Sequence, residues 1–458
     1  CKYMLRLDYP EIAANQLSIV ESLLPPEILK LPADLEKVDQ ILQDERFEEP
    51  FIERFNVTIG RGSLPVRPYI RLMVLKYSSE WGYETLEKKV NDSITLKKFC
   101  RIPLDKPAPD STTLIKLNQK YGEEVIKDLN QKLMKQLTER KIIRGRKLRV
   151  DTTVVESNTH YPSDANLLKD CVGAIGNTVK KVKSVYKEAA DGFRSGARKA
   201  KQQLLKVVKV LNRRTGKSQQ EVKTIVDEML QTAKESRKAG RKVLDKLNEK
   251  DSDENRKLSK KLSDILDTVD EIIKQTEEVQ SGNTHIKNRI VSIYDKEARP
   301  IKKGKLRAKV EFGYKAQIEE CEKGFVSNYE VYKGNPADDT LLMDAVERHE
   351  ETFGHVPGAV TTDRGYGSKD NEKNLKTAGV KKVAIPAKGK KSKTRSELEK
   401  SRWFKRLVHW RAGSEAKISL LKRKYGLDRS LSRGHSGTST WVGWGILTHN
   451  LLNAVKYA

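Results

Sequence analysis

Cysteine is scarce and scattered: four in 458 residues, Cys1, Cys100, Cys171 and Cys321, none at metal-ligand spacing. That argues against a disulfide scaffold and fits a reducing cytosol. Histidine is as thin, seven dispersed residues, so a zinc site is not expected. Long apolar runs are missing too. None approaches the ~20 residues that a bilayer span needs, and the opening Cys1-Lys2-Tyr3-Met4 carries no apolar signal segment. No membrane partner is expected, and a cytoplasmic location is. Acids are outnumbered, 63 Asp and Glu against 90 Lys and Arg, for a net charge of +27. Such an excess favours a polyanionic partner, nucleic acid first of all. A basic ribosome-associated factor is the plainer reading of the same number.

The length allows two to four domains. Residues 1–60 read as helical, punctuated by Pro25-Pro26 and Pro32. Ile70, Leu72, Met73, Leu75 and Tyr77, a break at Gly82, then Leu86 and Val90 read as a helix pair. That pair is either a helix-turn-helix or part of a plain bundle. Asp110 or Ser111 is placed to cap a long helix ending near residue 140. Lys147 to Glu156 is β-branched and predicts a strand. From 165 to 285 the chain is rich in Lys, Glu and Gln, with apolar residues at helical intervals. Breaks near Gly192, at Thr215-Gly216 and at Asp251-Ser252-Asp253 predict two or three long, coiled-coil-like helices. Strands are then expected at Ile290–Tyr294, Phe312–Ile318 and Val326–Tyr332, with a basic turn over Asp295–Lys305. A helix to about His349, a strand over Ala359–Thr362, a helix over Lys369–Ala378, a strand over Val380–Pro386 and a helix over 402–423 follow. The expected fold class is α/β: a mixed sheet with flanking helices, interrupted by a helical insertion and preceded by an all-α region. The expected domains are 1–145, then 146–164 joined with 286–458, and the insertion 165–285.

Three acids stand out. Asp151 sits inside an apolar, β-branched strand, where a carboxylate is costly unless paired or bound to metal. A strand-edge Asp paired with lysine is the bland alternative. Asp363 ends an apolar strand at Thr362-Asp363-Arg364-Gly365-Tyr366-Gly367. Glu415 shares one helical stripe with Arg411 and Lys422. An Arg411–Glu415 surface pair worth ~0.3–0.5 kcal/mol would explain two of those residues without function. Acids on two strands and a covering helix can hold two Mg²⁺ ions, with Mn²⁺ able to substitute, and two such ions serve phosphodiester chemistry. Residues 381–411 hold twelve Lys or Arg against two Glu. Lys388, Lys390 and Lys391 read either as a mobile phosphate-contacting loop or as a solvated linker. Trp403, Trp410, Trp441 and Trp444 read as core residues, one of which could stack on an unpaired base.

In these segments the chain resembles the DDE transposases of bacterial insertion sequences. Arg149-Val150-Asp151-Thr152-Thr153-Val154-Val155-Glu156 looks like their first catalytic strand, and Thr362 to Gly367 like their second acidic motif. Arg411, Glu415 and Lys422 are similar in spacing to the family's Tyr-x2-Arg-x3-Glu-x6-Lys signature, with Val408 in the tyrosine's place. Residues 64–120 resemble the family's helical N-terminal domain. The resemblance implies an RNase H-like catalytic fold and a prokaryotic, nucleoid-associated enzyme. It implies that Asp151, Asp363 and Glu415 are catalytic and hold two Mg²⁺. It makes Arg364, Arg411 and Lys422 DNA contacts or charge stabilisers near the site. The substrates would be double-stranded element ends and target DNA, held by a homo-oligomer, expected as a dimer on paired ends. An RNase H-like nuclease without strand transfer and an inactive DNA-binding relative are the alternatives.

Overall fold

The computed structural model describes residues 3–13, 19–55, 61–213, 217–249, 252–283, 285–302 and 310–457. Cys1, the breaks at Thr215-Gly216 and Asp251, and residues 303–305 of the basic turn lie outside them. The chain divides into two compact units, Cys1–Glu156 with Tyr314–Ala458, and Ser157–Gly313.

In the first unit, short helical turns precede α1 (Val66–Ser78), α2 (Tyr83–Asn91), α3 (Ile94–Phe99) and α4 (Ser111–Glu139). Tyr3–Met4 and Arg61–Gly62 form a two-residue parallel bridge, so this region is not purely helical. Asp110, not Ser111, caps α4: its Oδ1 accepts from the Thr112 and Thr113 amides at 2.8 and 3.3 Å. Helix α1 is buried on nearly every side. It is therefore a core helix, whereas α2, the second of the pair, buries only Leu86 and Val90. Of its two buried cations, Arg71 is paired with Asp39 at 2.7 Å. Among the described residues Lys76 has no such partner.

The sheet of this unit is built from β1 (Lys147–Ser157), β3 (Val310–Glu320), β4 (Val326–Tyr332), β5 (Ala359–Thr362) and β6 (Lys382–Ala384). Their order is β4-β3-β1-β5-β6. Strand β1 runs parallel to β5, and β5 parallel to β6. Strands β3 and β4 are antiparallel. The β1–β5 register places Arg149 opposite Thr361 and Val150 opposite Thr362. Helices α9 (Leu342–Phe353), α10 (Lys369–Thr377), α11 (Lys393–Lys400), α12 (Arg402–Lys424) and α13 (Gly434–Ala454) complete the unit. A two-residue strand, Arg429–Ser430, pairs with β1.

Helix α13 is buried throughout from Thr438 to Leu451. Trp444 is fully buried in it and donates its indole N–H to Asn118 Oδ1 at 2.9 Å. Trp441 is buried too, whereas Trp403 and Trp410 are only half-buried. Close approach needs glycine at 445, where a Cβ would collide with the Tyr425 backbone carbonyl and the Leu427 side chain. Gly445→Ala gains about 1 kcal/mol of helix propensity. Overpacking against a backbone atom that cannot rotate away costs about 3 kcal/mol. The net loss expected is about 2 kcal/mol, read as a lower denaturant midpoint at unchanged m-value.

Among its described residues the second unit has four long helices, not two or three: α5 (Asp164–Val185), α6 (Ala197–Arg213), α7 (Ser218–Asn248) and α8 (Asp253–Gln280). Their buried residues recur at three- and four-residue steps, as in Leu168, Cys171, Val172, Ile175 and Val179. Asp270 of α8 pairs with Arg237 and Arg241 of α7 at 2.5 and 2.6 Å. The strand expected at Ile290–Tyr294 does not form. Ile290 instead exchanges both backbone hydrogen bonds with the Gln275 side chain, each at 3.0 Å. A side-chain amide replaces the strand partner, and the apolar alternation there serves burial under α8. The real strand is β2 (Arg299–Lys302), antiparallel to the first residues of β3.

Candidate active site

The two aspartates meet because of strand register. Val150 lies opposite Thr362, and one residue further along both chains stand Asp151 and Asp363. Parallel neighbours are about 4.8 Å apart, so the two carboxylates leave the sheet side by side. Asp363 caps a tight turn, its Oδ1 accepting from the Gly365 amide at 2.8 Å. Gly365 is needed for close approach, since a Cβ there would lie 2.9 Å from Asp363 Oδ1 and 3.2 Å from Asp338 Oδ2. Burial, and next the Asp151 charge, push the Asp363 carboxyl above its ordinary value. Asp151 is almost fully buried.

Helix α12 brings the third acid. Phe404, Leu407, Ser414 and Leu421 form its buried stripe. Ser414, polar within that stripe, donates to Asp151 Oδ2 at 2.8 Å. Arg411, three residues before it, and Glu415, the next residue, lie together on the adjoining face of the helix. The Arg411 guanidinium is 3.1 Å from Asp151 Oδ2 and 3.6 Å from Glu415 Oε1. A single cation thus joins the first and third acids, while Glu415 stays 74% exposed. The bland sequence reading, an isolated i,i+4 pair, misses this bridge.

An open cleft of about 800 Å³ is lined by Asp363, Arg364, Arg411 and Glu415, with Val408 and Lys391 beside them. Lys388 reaches the site turn, donating to the Gly365 carbonyl at 3.1 Å. Lys391 is tied to Glu399, which also takes Arg395. Two of the three lysines are thus engaged within the protein, while Lys390 projects into solvent. Lys422 lies 3.8 Å from Asp428.

Two participants have no clear sequence signal. Asp338, in the segment that leads into α9, accepts from Thr152 Oγ1 at 3.1 Å and Lys315 Nζ at 2.9 Å. It is a fourth carboxylate beside Asp363. Arg149, buried, pairs with Glu320 at 2.6 Å and donates to the Trp410 carbonyl of α12. It ties the Asp151 strand to the Glu415 helix. Gly413 leaves room for it, since a Cβ there would lie 2.8 Å from Arg149 Nη1.

Among the described residues, no three His, Cys, Asp or Glu side chains stand as placed in a group that could hold a metal ion. The donor set nonetheless suits a hard divalent cation. It offers carboxylate oxygens only, two of them on mutually repelling neighbours, and a guanidinium already occupies the cation position between Asp151 and Glu415.

Two family models match the chain. One, described as a transposase DDE domain, spans residues 279–451. The other, a transposase domain (DUF772), spans residues 26–120. The first span contains Asp363 and Glu415; Asp151 lies upstream of it, across the helical unit. No curated protein and no solved structure matches the chain. Among the described residues no helix is long and apolar enough to cross a membrane. With the DDE domain comes the RNase H-like fold, and the chain belongs to the DDE transposases of insertion sequences.

Proposed function

We propose that this transposase binds the terminal inverted repeats of its element, cleaves the DNA at the ends and joins the freed 3′ ends to target DNA. The observation that carries the reading is the side-by-side placing of Asp151 and Asp363, with Arg411 linking Asp151 to Glu415. Asp151, Asp363 and Glu415 would hold two Mg²⁺ ions, which supply charge neutralisation and an activated oxygen nucleophile. The chain's own residues do the rest. Ser414 and the Thr152 amide orient the Asp151 carboxylate. The Gly365 amide orients Asp363. Arg411 neutralises Asp151 and Glu415 until they are loaded, and its guanidinium then faces the cleft as a phosphate contact beside Arg364. Lys422 extends the same helix face toward DNA further along. Asp338 holds Lys315 in place near Thr152.

Assembly on paired ends is part of the reading. Leu205, Val208 and Leu211 are exposed at three-residue steps on α6. Such an apolar strip suits contact with a second copy.

The deciding experiment is strand transfer with end-sequence DNA with and without Mg²⁺. Joined product supports the proposal; nicks without joining indicate a nuclease, and a shifted band alone indicates a binder. The basic turn gives a separate prediction. Replacing Lys388, Lys390 and Lys391 by Gln should reduce the slope of log affinity against log salt by up to about 2.7. Lys391 is already paired with Glu399, so the observed change should fall below that limit. An unchanged slope would show that the turn faces away from DNA.

A further inference from the structure

Helix α1 ends in a cavity of about 890 Å³ that the catalytic cleft does not share. Its walls come from the end of α1, the start of α2, one face of α4, the segment after α12 and the first turns of α13. Lys76 lines it while being only 4% exposed. Among the described residues its ammonium has no carboxylate and no hydrogen-bond acceptor. Its company is three ring faces, those of Tyr77, Trp441 and Tyr83, at 4.1, 4.4 and 4.8 Å. Burial pushes Lys76 down to about 8, with no acid to offset it. The contrast with Arg71, equally buried and on the same helix but matched to Asp39, is direct. A charge kept in such a place without a counterion signals an anion that arrives from outside.

The remaining walls say which anion. The half-buried rings of Trp81 and Tyr425 also line the cavity, and at its mouth stand Arg429 and Arg433 with Glu80 and Asp428, Arg429 being paired with Glu156 at 2.7 Å. Aromatic faces beside cations recognise a flat base that carries a phosphate. The volume lies in the range of small-ligand sites, so it suits a single nucleotide and not a duplex. We propose that this cavity binds one unpaired nucleotide, its phosphate at Lys76 and its base against the aromatic wall. The proposal rests on the reading that the chain handles DNA ends, where a nucleotide can leave the helix. A free mononucleotide has the same chemistry, and the test separates the two sources.

The full chain is titrated by fluorescence anisotropy with two probes, a blunt 20-base-pair duplex and the same duplex with a four-nucleotide single-stranded overhang. Direct titration with dAMP is followed by tryptophan quenching. The overhang probe should bind about tenfold or more tightly than the blunt one. Lys76→Met should abolish that preference and leave the blunt duplex affinity and the melting temperature intact, since it removes a buried unpaired charge. Trp81→Ala, at the half-buried rim, should weaken the preference independently. Quenching by dAMP that Lys76→Met removes, without any overhang preference, would assign the site to free nucleotide. Equal binding of both probes with no dAMP quenching would overturn the proposal, as would an overhang preference that survives Lys76→Met. Failure of the blunt duplex to bind would count against the DNA-end reading alone, because the dAMP titration still decides the cavity.

Discussion

Asp363→Asn is expected to lower end cleavage by a thousandfold or more, leaving duplex affinity within about twofold of the native chain. A thousandfold loss corresponds to about 4 kcal/mol of transition-state stabilisation. The side chain keeps its shape and its bond to the Gly365 amide through the remaining carbonyl oxygen, so the turn should survive. What is lost is one anionic ligand of a divalent pair. Folding should not suffer. The Asp363 carboxyl is pushed upward by burial and by Asp151. A raised acid favours the folded state fully below its unfolded value, and that contribution fades as pH rises through the folded value. At neutral pH the ionised group is therefore a liability that Asn removes. Single-turnover cleavage, filter binding and a thermal melt together check this. Retained cleavage would remove Asp363 from the site; a lower melting temperature would show that the carboxylate is structural.

The second large effect is expected at Arg149, which never touches the cleft. Its guanidinium meets Glu320 at 3.0 and 2.6 Å and the Trp410 carbonyl, and lies 5.0 Å from the Trp410 ring. Both ionic partners are buried, with side-chain exposures of 8% and 1%. Arg149→Met leaves the Glu320 carboxylate in the interior, where burial already pushes it upward and Arg149 is what holds it down. Breaking a buried pair from one side costs about 3–5 kcal/mol. Lys417 also favours the ionised Glu320 and offsets a little of this. The double variant Arg149→Met with Glu320→Met should recover most of the loss, because two apolar side chains leave no stranded charge. Denaturant midpoints for the three variants test it. A single variant that loses under 1 kcal/mol, or a double no better than the single, would show that the pair is not what joins strand to helix.

Much of the catalytic region is legible because its elements have short-range causes. The Ala359–Thr362 strand, the turn at Asp363 and the helix from 402 are announced by β-branched runs, glycines and helical spacing within a few residues. Ile290–Tyr294 fails as a strand for a long-range reason. The backbone of Ile290 is satisfied by the Gln275 side chain, and no local pattern encodes that. Asp338 is hidden similarly, for a loop aspartate before a helix looks like any cap until Thr152 and Lys315 are seen beside it. The fourth helix of the insertion was hidden because apolar spacing marks helices well but their ends poorly.

By itself the sequence determined the kind of protein this is: a chain of high positive charge, with acids at strand ends and on a helix stripe, in segments that resemble a transposase. Charge, periodicity and motif spacing are carried by neighbouring residues, so they survive without coordinates. Only the tertiary structure decided that Asp151 abuts Asp363, across more than two hundred intervening residues, because pairing register is a property of two strands and not of one. It alone placed Arg411 between two acids, Arg149 beneath them and Lys76 in a cavity without a counterion. A charge acquires its meaning from what it is buried against, and burial is settled only when distant parts of the chain meet.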